Sequence, residues 1–369
     1  MDTPGAVPVV ATTIATLPAN SSNPIDALVG DPNGAGVWFW DLTATGDVIY
    51  HVSGTGKLTA YPIFTGTSVL YQQGSSGLAV GTNGMVWLGI NTTLAELNPD
   101  SGKVQTWSIP AGQANPRQQP ASAEDMAGHR AVNALAVGPK GQVAIAMNSE
   151  SSVEVFDPPT ATFSTLKLPV ITDKPISVTY SGDGSLCVGM SNIATGGHAN
   201  ELLLVQPGGT TAHATVPDGT AWEVAPYDAS TFVVGSFDPH LVASDGAVTP
   251  LLAPKALTGT ASAPTPLRLL PNGKLLGVAD NGLLEFPSTA TSVSAVTTQT
   301  STLTVSVACQ PAVSSFRQPA TPQPTPTPYP PGYKCLEHYG DINAVDGAGN
   351  IWIVSKDAQA GVAMVEPKG

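Results

Sequence analysis

A short grammar of strands and tight turns recurs along this chain, and repetition at a fixed period restricts a fold more than any single motif does. The clearest copy runs from Gly77 to Pro110. Its first apolar stretch ends at Asn83-Gly84, a second carries Val86, Trp87 and Leu88, and a third runs through Leu94 and Leu97. Asp100, Ser101 and Gly102 then turn the chain into a fourth stretch through Val104 and Trp107. Such turns supply the positive φ that tight hairpins require, so the copy reads as four antiparallel strands.

Six further copies follow the same pattern with different residues: Pro24 to Pro62, Val132 to Pro169, Ile176 to Pro217, Trp222 to Leu252, Leu267 to about Thr298, and Ile342 onward. The last residues of the first turns, Gly34, Gly84, Gly141, Gly184, Ala229, Gly273 and Gly349, are separated by 50, 57, 43, 45, 44 and 76 residues. Four strands in some forty residues are one blade of a β-propeller, and the longer intervals imply insertions. The expected fold is therefore all-β, a single seven-bladed β-propeller over residues 1–369, built of four-stranded antiparallel blades. The seventh copy stops after its third strand at Val365, and an orphan strand from Val9 to Leu17 is available to complete it and remove an open edge. Ser301 to Ala308 is strand-like and has no place in this scheme, which leaves six or eight blades open.

Composition bears on partners and compartment. With 14 basic and 27 acidic side chains the net charge is −13, a mean field that repels a phosphate backbone, so nucleic acid is not an expected partner. No apolar run is long enough to span a membrane as a helix. Met1 to Gly5 opens a polar stretch that reads as the start of a mature exported protein without its leader. Asn20 and Asn91 head glycosylation acceptor triplets. Cys309 and Cys335 bracket the Pro-rich insertion at 308–338, which includes Tyr329 and is expected to lie as extended polyproline II. A disulfide between the two cysteines would stabilise by about 3–4 kcal/mol and would point to an oxidising compartment; two unpaired thiols are the other reading. Cys187 lies in an apolar run and reads as a buried, inert thiol.

The alternation of Asp/Asn-Gly turn and Val-Trp-Phe strand, as in Pro24 to Asp41 and Gly77 to Pro110, resembles the virginiamycin B lyase (streptogramin lyase) family of propellers within the wider NHL-like group. That resemblance implies metal-assisted elimination by an inner-strand His with acidic residues, one of them just after the Trp-Phe strand. Asp41 holds that second position, while Asp26 stands where the family's His would fall. None of His51, His129, His198, His213, His240 and His338 sits in the corresponding slot.

Aligned first strands place Asp26, Gly77, Asn133, Ser177, Glu223, Arg268 and Asn343 at equivalent positions facing a central channel. Asp26, Asn133, Glu223 and Asn343 form an oxygen set that a hard cation such as Ca²⁺ or Mg²⁺ would suit, as in the similar propellers of gluconolactonase and regucalcin. The alternative is a hydrated polar lining in which Arg268 neutralises Glu223; no cofactor is otherwise indicated. Trp38, Trp87 and Trp352 recur at one repeat position and read as blade-to-blade core. Trp40 and Trp222 break that rule and read as ligand contacts. The expected function is that of an exported, non-catalytic binding or scaffold module for a protein or glycan partner at the cell surface. The competing expectation is a metal-dependent lyase or hydrolase with Asp26, Asp41 and Glu223 as its catalytic groups.

Overall fold

A computed structural model describes residues 9–16, 28–43, 46–65, 76–112, 132–147, 150–169, 173–192, 200–217, 223–235, 240–250, 268–269, 275–279, 282–286, 300–301, 303–305, 339–355 and 361–366. Every regular element among them is a strand. Six sheets each contain four consecutive strands, paired antiparallel in chain order. Sheet I holds Leu28–Gly30, Gly36–Thr43, Gly46–Ser53 and Leu58–Thr65, and sheet II holds Ser76–Val80, Val86–Ile90, Thr93–Asn98 and Lys103–Ser108. Sheet III is Val132–Val137, Val143–Met147, Ser152–Asp157 and Thr162–Lys167; sheet IV is Asp173–Tyr180, Leu186–Asn192, Glu201–Val205 and Thr211–Thr215. Sheet V comprises Glu223–Pro226, Thr231–Gly235, His240–Ala243 and Val248–Pro250, and sheet VI comprises Arg268–Leu269, Leu275–Ala279, Gly282–Phe286 and Thr300–Ser301.

Sheet VII has five strands, in the order Leu303–Val305, Val9–Thr16, Gly361–Glu366, Ile351–Ser355 and Tyr339–Val345. The N-terminal strand pairs antiparallel with Gly361–Glu366, from Val10 opposite Glu366 to Thr16 opposite Gly361. Its other edge pairs parallel with Leu303–Val305. The strand-like stretch that the repeat scheme could not place therefore lies outside the N-terminal strand.

First strands of successive sheets touch one another from sheet I through sheet VII, and those of sheets VII and I also touch. Second strands lie between both neighbouring sheets, which is why Val86–Ile90 and Val143–Met147 are apolar and buried at every position. Fourth strands have one free side, so Lys103–Ser108 and Thr162–Lys167 are exposed at four of six positions and half-buried at the second and fifth. The core is laid down between sheets: Trp38 packs with Leu88 and Leu97 of sheet II, Trp87 with Ile145 and Phe156 of sheet III, and Trp352 with Phe39 and Val52 of sheet I. Cys187 occupies the corresponding row in sheet IV, fully buried and unbonded, and burial pushes its thiol pKa up.

Pairing in this order sends first-to-second and third-to-fourth connections to one end of the sheets, here the turn face. Second-to-third and sheet-to-sheet connections fall at the other end, the loop face. In sheets I to V no turn-face connection exceeds five residues. The strand ends that flank residues 66–75, 113–131, 193–199, 218–222 and 251–267 all belong to the loop face.

Candidate functional site at the loop face

Acidic groups on the two faces live in opposite environments. On the turn face they cap turns. Asp31 Oδ1 accepts from Asn33 N at 2.9 Å, Asp228 Oδ1 from Ser230 N at 2.9 Å and Asp245 Oδ1 from Ala247 N at 3.0 Å, and the amide Oδ1 of Asn83 does the same for Met85 N at 3.1 Å. Asp183 Oδ1 accepts from Ser185 N at 2.8 Å and from Ser181 Oγ at 2.7 Å. Burial alone would raise its pKa, yet these hydrogen bonds bring it below the usual carboxylate value. Asp346 is the extreme case: Oδ1 accepts from Ala348 N and Asn350 N, while Oδ2 accepts from Gly36 N, Asn350 Nδ2 and Trp352 Nε1. Since Gly36 belongs to sheet I, this one carboxylate joins sheet VII to sheet I.

On the loop face the acids are buried at strand ends. Asp41 near the end of Gly36–Thr43, Asp47 near the start of Gly46–Ser53, Glu150 and Glu154 in sheet III, and Asp173 at the start of sheet IV are all buried. Burial pushes Asp47 up to about 6, partly opposed by a hydrogen bond from the Trp40 side chain. Burial, reinforced by the charge of Glu201, likewise pushes Asp173 up to about 6, and burial lowers the pKa of its neighbour Lys174. The Tyr50 hydroxyl is raised by burial and then by Asp41.

In sheet III, Glu150 Oε2 accepts from Gly112 N at 3.1 Å and Glu154 Oε2 from Thr165 Oγ1 at 2.8 Å. A Cβ at position 112 would overlap Ser152 Oγ, Glu150 Oε2 and Glu154 Oε1, so a larger residue there would have to displace these side chains. His240, at the start of the third strand of sheet V, is also buried, and its Nδ1 has no hydrogen-bond partner among the described residues. Carboxyls that titrate near 6 exchange protons close to neutral pH, and such groups gather at working surfaces more often than elsewhere.

The residues expected from sequence are distributed differently. Asp26, Trp222, Tyr329, Cys309 and Cys335 lie outside the described residues. Glu223, Arg268 and Asn343 are placed by their backbones, on the first strands of sheets V, VI and VII and opposite Gly235, Leu276 and Ile353. Asn133 Nδ2 donates to Ile176 O of sheet IV at 2.8 Å and so ties two first strands together. Trp40 is 1% exposed and packed in the core between sheets I and II, so its ring is not offered to a ligand. Sequence reasoning missed it because the second strand of sheet I carries indoles at two inward positions rather than one. Asp41 is where the motif put it, buried at the loop-face end of its strand. No group of three or more His, Cys, Asp or Glu side chains among the described residues is placed to hold a metal ion; of the expected cation set, Asp26 and the side chains of Glu223 and Asn343 lie outside the described residues.

Asp47, Glu150, Glu154 and Asp173 were not singled out by motif. The signal that would have found them is a carboxylate at the polar end of an otherwise apolar strand.

Repeated four-stranded antiparallel sheets whose first strands touch in a closed succession define a β-propeller. The chain matches no established protein family, and no curated protein matches its sequence. Among solved structures it is similar to a streptogramin B lyase, at 12% identity and TM-score 0.65 over 97% of each chain. It is also similar to virginiamycin B lyase from Staphylococcus aureus, at 13% identity and TM-score 0.58 over 95% of this chain and 97% of that one. The WD40 β-propeller domain of Doa1 aligns at 14% identity and TM-score 0.56 over 97% of each chain. At such identities the likeness is one of fold.

Proposed function

We propose that this chain is an exported seven-bladed propeller, closed by its N-terminal strand, that serves as a binding or scaffold module for a protein or glycan partner at the cell surface through its loop face. The observation that carries this reading is the asymmetry of the faces. Turn-face connections are short and their polar groups are spent on backbone donors, whereas the longer connections and the buried acids share the opposite face. Binding residues concentrate on connections that a rigid scaffold positions. Seven sheets in succession, the last completed by Val9–Thr16, support the blade count and the closure.

Export rests on a Cys309–Cys335 disulfide, and the topology of sheet VII supports that bond. Leu303–Val305 runs toward the loop face and Tyr339–Val345 departs from it, so both cysteines are four residues from strand ends on the same face. The two edges of a five-stranded sheet stand about 19 Å apart, and four extended residues from each side reach about 13 Å apiece. Mass spectrometry with and without reductant checks the bond; a mass that does not rise by two protons removes the case for export.

For binding, residues 113–131 are replaced by a short Gly-Ser turn and the labelled protein is applied to intact cells of the source organism and to a glycan array. The expected result is an unchanged melting midpoint with retention lost. Retention equal to that of the parent would overturn the loop face as the binding surface.

A further inference from the structure

Among the described residues, a groove opens between sheets III and IV, where the side chains are smaller than those between sheets II and III. Between sheets II and III, four rings pack together: Trp87 lies 5.8 Å from Trp107 and 5.8 Å from Phe156, and Phe156 lies 4.8 Å from Trp107 and 4.7 Å from Phe163. The pairing registers give the equivalents one sheet further on. Trp87, opposite Ala79, corresponds to Ala144, opposite Ala136. Trp107, opposite Leu94, corresponds to Leu166, opposite Val153. Phe156, opposite Val143, corresponds to Val205, opposite Leu186, and Phe163 corresponds to Thr211. Not one of the four aromatic positions is aromatic between sheets III and IV. Sheet I makes the same contrast, with Trp38 and Trp40 facing sheet II where sheet III presents Ala144 and Ala146 to sheet IV.

The groove between sheets III and IV has a volume of about 360 Å³ and is open near the turn face, and Leu166 and Val205, at the positions of Trp107 and Phe156, line it. Leu166, Tyr180, Leu186 and Val205 line it together with polar residues that include the charged Lys140 and Asp183. Burial raises the Tyr180 pKa, which keeps that hydroxyl neutral against the wall. Apolar walls with a few polar groups, at the lower end of the volume range of small-molecule sites, are the make-up of a ligand pocket. Two sheets about 10 Å apart admit a flat ring edgewise.

We propose that this groove is a binding site for a small, flat aromatic molecule of one or two rings, whose ring takes the place that Trp107 and Phe156 fill between sheets II and III. The site is independent of the loop face, on the opposite side of the ring.

Indole is the probe. Protein with ¹³C-labelled leucine and valine methyls is titrated with it, and the ring current is expected to move Leu166, Leu186 and Val205 saturably while Leu94 and Leu97 between sheets II and III stay still. Leu166→Trp and Val205→Phe each supply from within a ring that the repeat already tolerates at that position. Each is expected to keep the melting midpoint and to weaken indole binding at least tenfold; two variants guard against one failing to fold, and the parent titration decides if both do. Unmoved groove methyls at saturating indole would overturn the site, as would undiminished binding in a folded variant. N-acetyl-tryptophanamide binding more than tenfold tighter than indole would also overturn it, assigning the groove to a side chain of a protein partner.

Discussion

The same residue type does two jobs at the two ends of these sheets. Turn-face Asp183 and Asp346 are surrounded by backbone and side-chain donors, so their charge is solvated by the protein itself. Loop-face Asp47 and Asp173 are buried, as Asp346 is and the exposed Asp183 is not, and burial pushes both up to about 6. The turn-face pair receives its donors from the turn that each residue opens, because tight turns point amides inward at that residue. The turn face therefore holds the ring together, while the loop face keeps charge at a cost to stability, a cost that selection tolerates where it serves function.

Substitutions can break this comparison, and the largest effect is expected at Asp346. Asp346→Ala strands five donors, one of them from sheet I and one from the Trp352 indole, and should cost roughly 3–5 kcal/mol by denaturant unfolding. A loss below about 1 kcal/mol would show that the turn face is not where the ring is held.

The opposite sign is expected on the loop face. A carboxyl whose folded pKa is raised from 3.8 to about 6 is favoured by folding in its protonated form. Its contribution is fullest below the ordinary value near 4 and is lost as pH climbs through about 6. Asp47→Asn and Asp173→Asn should thus each raise stability at pH 8 by up to about 2–3 kcal/mol, leave it nearly unchanged at pH 4, and flatten the profile between. A destabilised variant at pH 8 would show that burial does not penalise the charged form of these acids.

Asp183→Ala sharpens the contrast at smaller scale, since it removes a single exposed cap and should cost about 1 kcal/mol. That loss should appear above pH 4 and fade in acid, because the folded pKa is lowered. A pH-independent loss would point to packing instead of charge.

Much of the ring was legible in the sequence because each hairpin announces itself locally. Asn83-Gly84 and Asp183-Gly184 predict turns, and the structure puts Gly84 and Gly184 at φ 77° and 90°, where a side chain would be strained. Trp38, Trp87 and Trp352 were readable as core because they share one register. The site was less legible because burial of a carboxylate depends on the neighbouring sheet, which strand patterning does not encode. Asp47 follows a Gly at a strand start much as a surface acid would, and Glu154 alternates with apolar residues as an outward side chain would. Asn133 shows the same dependence: the sequence of its inner strand gives no sign of the Ile176 carbonyl of the next sheet that its amide nitrogen meets. The pairing of Leu303–Val305 with the N-terminal strand joins residues nearly three hundred apart in sequence, beyond what local pattern conveys.

The division of labour between the faces can be tested at matched exposed positions on either side of one sheet. A photo-crosslinking phenylalanine is introduced at Ala111, beside the last strand of sheet II on the loop face, and at Ser101, in the turn-face hairpin of the same sheet. Both variants are expressed in the source cells and irradiated. The account predicts a discrete crosslinked species from position 111 and none from position 101. Crosslinks of equal yield from both positions, or from position 101 alone, would contradict it.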